Sequence, residues 1–129
     1  MRPEIINVTP KTIVFEDKET KERYKVKPCG VVITGFSIIK TSDKFPVPEK
    51  YKYQVKFFAH WMYASTDSDK ENLVRLNMIY PDAILVGTDQ AARCYPGIIV
   101  TPCKANKAGT VMKDSSFLAY MKETNPVRP

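Results

Sequence analysis

The chain has 129 residues, 20 Lys and Arg against 14 Asp and Glu, a formal charge of +6 and 43% hydrophobic residues, the balance of one folded domain and not of a disordered tail. A chain of this length buries roughly two-thirds of the surface its unfolded form exposes, so its core needs neither disulfides nor a structural metal. The longest apolar stretch, Gly30 to Ile39, is about half the ~20 residues of a membrane span, and Met1-Arg2-Pro3-Glu4 leads into no apolar signal segment. No membrane span and a cytoplasmic setting are therefore expected. Cys29, Cys94 and Cys103 show no paired spacing and read as reduced thiols. The positive charge favours an anionic partner, and it also favours solubility.

Ile5 to Thr9 is rich in β-branched residues and closes at Pro10, a first short strand. Lys11 to Glu16 repeats the type, and the charged cluster Asp17 to Glu22 is the polar turn that follows. In Arg23-Tyr24-Lys25-Val26-Lys27 apolar residues alternate with cations, which sends Tyr24 and Val26 inward and the cations outward. After Pro28-Cys29-Gly30 come Val31 to Ile33, a Thr34-Gly35 turn and the strand Phe36 to Lys40. Pro46 and Pro48 make Ser42 to Glu49 an extended loop. Tyr51, Tyr53, Val55 and Phe57 then alternate with Lys52, Gln54 and Lys56, and the apolar run continues to Tyr63. Trp61 is expected in or beside the core among these neighbours.

Ser65 to Asp69 is a loop that can also cap a helix, and Asp69 to Met78 fits a helix or a strand. Ala83 to Val86 is a short strand ended by Gly87, Gly97 to Thr101 is another ended by Pro102, and Phe117 to Met121 is the last. About seven to nine short strands, ten prolines and at most one short helix favour an all-β antiparallel β-sandwich spanning 1–129. A partly open barrel is the second architecture.

Local signatures of enzyme chemistry are missing: there is no Gly-rich phosphate loop, no GxSxG elbow and no HExxH. His60, the one histidine, lies in an apolar run and reads as structural. Cys29, Cys94, Cys103 and His60 offer zinc-ligand types without a CxxC spacing. Asp67, Asp69 and Glu71 lack the glycine and terminal glutamate of a calcium loop. No enzyme, no cofactor and no metal site are expected. Aromatics interleaved with lysines at Tyr51 to Phe57 also suit single-stranded nucleic acid, although alternation puts the rings and the cations on opposite faces.

Arg23-Tyr24-Lys25-Val26-Lys27-Pro28, followed by Gly30-Val31-Val32 and Gly35-Phe36-Ser37-Ile38, resembles the R-Y-x-V-R-P strand and glycine turns of the major sperm protein domain, the type found in VAMP-associated proteins. Lys52-Tyr53-Gln54-Val55 and Met62 to Asp67 look like that family's K-F-x-V strand and its M-F-A-P-T-D continuation, and Ile5 to Phe15 looks like its opening strand. Immunoglobulin-like repeats of ciliary proteins are similar as well. The resemblance spans roughly residues 5–67 and implies an immunoglobulin-like sandwich that binds acidic peptides. A K-V-K-T-T-N-P segment of the family is replaced here by Asp17 to Glu22, while Tyr120 to Pro126 looks like that segment displaced to the C-terminus. Residues 98–129 are accordingly open to three readings: the missing strands of the same sandwich, a swapped segment, or a truncated repeat.

The leading expectation is a non-enzymatic cytoplasmic scaffold module that grips an acidic or phosphorylated partner segment, or assembles with its own copies in a cytoskeletal or structural complex. Its candidate partner-binding residues are Arg23, Lys25, Lys27, Lys52, Gln54, Lys56, Lys122 and Thr124. The alternative is a basic β-domain binding single-stranded nucleic acid.

Overall fold

A computed structural model describes residues 2–42 and 58–122, with the side chains of 40–42 and 58–60 left aside. The elements in chain order are β1 (Ile5–Asn7), β2 (Ile13–Glu16), β3 (Arg23–Val26), β4 (Phe36–Ser42), β5 (Phe58–Ala64), α1 (Asp67–Ile79), β6 (Ile84–Val86), α2 (Asp89–Cys94), β7 (Ile99–Lys104) and β8 (Met112–Leu118). The mostly-β expectation holds. A second helix, α2, joins α1, and the strand expected over Tyr51 to Phe57 lies outside the described residues, as does nearly all of the loop before it.

Six strands form one sheet in the order β1-β6-β7-β8-β2-β3, and β4 and β5 form a separate two-stranded sheet. Pairing is mixed where uniform antiparallel pairing was expected: β1 with β6, β6 with β7 and β2 with β8 run parallel. Parallel neighbours need a crossover, and α2 supplies the one between β6 and β7. The sheet also curls until its two edge strands meet. Asn7 bridges Pro28, and the Cys29 N–H donates to the Asn7 carbonyl at 2.9 Å.

The Asn7 side chain reinforces that seam. Its Nδ2 donates to the carbonyls of Val26 at 3.0 Å and Lys11 at 2.7 Å, and its Oδ1 accepts from the Thr9 amide and hydroxyl. Asn7 is 1% exposed, so each of these bonds replaces water that the site excludes. The C-terminal strands complete the same sheet, with β7 on β6 and β8 on β2.

Two edges of the expected strands shift for physical reasons. Pro102 does not end its strand: β7 runs through it to Lys104 with a register shift between the two, a place where a missing N–H is tolerated. The last strand begins at Met112 rather than Phe117, because Asp114 turns inward and accepts from the Lys18 amide and the Tyr24 hydroxyl.

α1 starts at Thr66, whose hydroxyl accepts from the Asp69 amide at 3.1 Å, and it buries Leu73 and Leu76. These two lie three apart, on one side of a helix but on opposite faces of a strand. That spacing decides the open choice for the segment. Thr88 caps α2 in the same way, accepting from the Ala91 amide. The main core gathers Val8, Ile33, Leu85 and Ile99 under Leu73 and Leu76 of α1 and Ala91, Ala92 and Tyr95 from α2 and its C-cap. A second apolar cluster stacks Phe15 against Tyr24 and Phe117. Among the described residues no helix is long and apolar enough to cross a membrane.

Candidate partner-binding surface

Among the described residues, the β4–β5 ribbon is held at the end where Gly35 opens it. Gly35 has φ of +61°, and a Cβ there would stand 2.5 Å from both Cβ and Sγ of Cys94; only glycine fits this approach. The Gly35 amide donates to Asp69 Oδ2 at 2.8 Å, and the same oxygen accepts from the Tyr95 hydroxyl at 2.6 Å. Tyr95 in turn accepts from the Thr66 amide at 3.0 Å. Burial first, and then the bond to Asp69, raise the Tyr95 phenol above its usual range. One buried carboxylate thus ties the ribbon to the start of α1 and the end of α2.

A second set of contacts grips the next residues. The Ser37 hydroxyl donates to Gln90 Oε1 at 2.9 Å, and the Arg93 guanidinium sits 5.2 Å from the Tyr63 ring and 4.4 Å from the Tyr120 ring. Arg93 is oriented by Asp89 at 2.8 Å, which also accepts from the Tyr120 hydroxyl. The Tyr120 bond and then the Arg93 bond hold the Asp89 carboxyl below its usual range.

Beyond these anchors the described side chains of the ribbon are exposed. Ile38 faces Met62 across the pair and Ile39 faces Trp61, so successive pairs lie on opposite faces. All four are exposed, Trp61 by 56%. Trp61 is therefore a surface residue, contrary to the expectation from its apolar neighbours; the core is filled from the helices instead. Two adjacent isoleucines in one strand were the available signal, since one-sided burial cannot cover both. Two positions beyond Ile38, Lys40 is in register with His60.

The basic face expected from the sequence lies only in part within the described residues. Arg23, Lys25 and Lys27 are exposed while Tyr24 and Val26 are half-buried, as alternation requires. The cations do not stand alone: Arg23 lies opposite Glu16 with N···O of 4.0 Å, and Arg2 reaches Asp17 and Glu22 at 3.3 Å each. Lys122 is exposed near the C-terminus. Lys52, Gln54, Lys56 and Thr124 lie outside the described residues, so nothing brings the eight together.

Comparison of the chain with protein-family models, curated proteins and solved structures found no match. The surface is consequently read from its own chemistry. Cys29, Cys94 and Cys103 are unbridged; Cys94 donates to the Phe36 carbonyl, and burial raises its thiol above the usual range.

Proposed function

We propose that the chain is a non-enzymatic binding module whose partner surface is the β4–β5 ribbon, and that its partner is an acidic protein segment carrying apolar residues. The observation that carries this reading is the exposure of Ile38, Ile39, Trp61 and Met62 on a ribbon rigidly anchored at its base. A two-stranded ribbon is marginal on its own, and clustered exposed apolar side chains mark a docking surface. The net charge of +6 selects an acidic occupant over a basic one through steering. A non-enzymatic role is supported by the buried polar side chains, Asn7, Thr9, Asp69 and Asp114, all of which are occupied by internal bonds.

The likeness to the major sperm protein domain supports the module part of the reading through the motifs at Arg23 to Val26, Gly30 and Gly35. The mixed sheet lends no support to its immunoglobulin-like sandwich, and the cytoplasmic scaffold role rests on the sequence alone. Single-stranded nucleic acid is the second reading, favoured by the exposed indole on a basic chain.

Trp61 is the one tryptophan and reports on its own surface. Titration with a Glu/Tyr copolymer is expected to shift its emission to the blue, saturably, with a shallow dependence on salt. An oligothymidylate that binds more tightly, with a steep salt slope, would replace the protein partner by nucleic acid. No response to either probe would overturn the ribbon as the partner surface.

A further inference from the structure

Two arginines of the chain stand in nearly the same surroundings, and one of the two sets is incomplete. The Arg2 guanidinium lies 4.3 Å from the centre of the Tyr24 ring, its Nε donates to Asp17 and its Nη2 to Glu22, both at 3.3 Å. The Arg93 guanidinium lies 4.4 Å from the centre of the Tyr120 ring and 5.2 Å from that of Tyr63, and its Nε donates to Asp89 at 2.8 Å. Among the described residues, no acceptor meets its Nη1 or Nη2. Where Arg2 holds two carboxylates Arg93 holds one, and its side chain is 39% exposed.

This guanidinium is preorganised for a second anion. The rings and the Asp89 bond fix its plane, so little freedom is lost when its remaining N–H groups are used. Asp89 also accepts from the Tyr120 hydroxyl, so its charge is divided between two donors. A planar fork of paired N–H groups matches a carboxylate through two parallel bonds.

Its position joins it to the ribbon. Tyr63 lies two positions from Trp61 on β5, in register with Ser37, as Trp61 is with Ile39. Alternate residues of a strand share a face, so the face that carries Trp61 and Ile39 runs on to Tyr63 and to the guanidinium stacked on it. Two strand positions span about 7 Å. An extended segment with an apolar side chain on Trp61 therefore brings a residue roughly two to four positions away to Arg93.

We infer that Arg93 is the specificity-determining residue of the ribbon surface, where its Nη1 and Nη2 receive a carboxylate of the partner segment standing a few residues from the apolar anchor on Trp61. This assignment rests on the ribbon as the partner surface, and it adds which cation reads the acid and where in the segment the acid stands. Net charge attracts an acidic segment without orienting it, and Arg93 supplies the orientation.

Titration of Trp61 emission with the Glu/Tyr copolymer tests it on three variants, each checked for folding by circular dichroism. Arg93→Lys keeps the charge and loses the fork, and should weaken binding by at least about tenfold while acrylamide quenching of Trp61 in the free protein stays unchanged. Arg93→Glu should weaken it further. Arg75→Glu, at an exposed cation of α1, changes the net charge by the same amount and should stay within about threefold of the wild type. Wild-type affinity in folded Arg93→Lys overturns the proposal and leaves the ribbon standing, as does a loss in Arg75→Glu equal to that in Arg93→Glu, which would reduce the effect to net charge. No response from the wild type overturns the ribbon surface itself and this proposal with it. If oligothymidylate loses as much affinity as the copolymer on Arg93→Lys, the fork takes anions in general and the carboxylate assignment falls.

Discussion

The six-stranded sheet and the β4–β5 ribbon are built from similar residues and solve opposite problems. In the sheet, Val8, Phe15, Val86 and Ile99 are fully buried, and the Asn7 side chain closes the seam where the edges meet. In the ribbon, Ile38, Ile39, Trp61 and Met62 stay exposed, and all the described restraint is at the base. Apolar content alone does not distinguish a core strand from a presenting strand. What distinguishes them is whether another element reaches both faces.

The joint between the regions is the place to break the comparison most severely. Gly35→Ala combines an unfavourable backbone conformation with an overlap against Cys94, and is expected to cost about 2–4 kcal/mol in urea unfolding. A neutral Gly35→Ala would mean that the ribbon base is not held as described. Asn7→Ala removes the bonds to the Val26 and Lys11 carbonyls and takes from the buried Thr9 amide its Asn7 acceptor, and should cost about 1–3 kcal/mol by the same measurement. Trp61→Ala is expected to stay within about 0.5 kcal/mol of the wild type. A loss of core size there would return Trp61 to the interior.

The smallest effect is a pH dependence of the turn that supports the sheet. The Thr20 amide and then the Glu19 amide hold the half-buried Asp17 carboxyl down at about 2. A folded-state value below the ordinary 3.8 means that this contribution is fully present above the unfolded value and is lost as pH falls through the folded one. Asp17→Asn should therefore lower stability at neutral pH, where the contribution is fully present, and flatten the acid limb of the stability curve between about pH 4 and pH 2, the two proteins converging at the acid end. An unaltered acid limb would remove Asp17 from the account.

Much of the sheet was legible because it obeys local rules. The alternation in Arg23 to Val26 places Tyr24 and Val26 inward, and the residues after Thr66 form the capped helix that the sequence allowed. The order of the strands was not legible, since β2 pairs with β8 across nearly the whole chain. Met112 to Ser116 escaped notice because the partners of Asp114 are Lys18 and Tyr24, far away in sequence. α2 was missed through its six-residue length, although Thr88-Asp89 before a short alanine-bearing stretch was a readable start signal. The ribbon departs from the expectation because a run of apolar residues does not by itself make a core; burial depends on which elements arrive to cover it.

Quenching of Trp61 fluorescence by acrylamide in the free protein tests the central claim most directly, because the indole marks the open part of the ribbon and no other tryptophan contributes. The ribbon as described predicts red-shifted emission and quenching close to that of the unfolded chain. A blue-shifted, protected indole in the free protein at low concentration would contradict it, because the surface offered to a partner would already be covered.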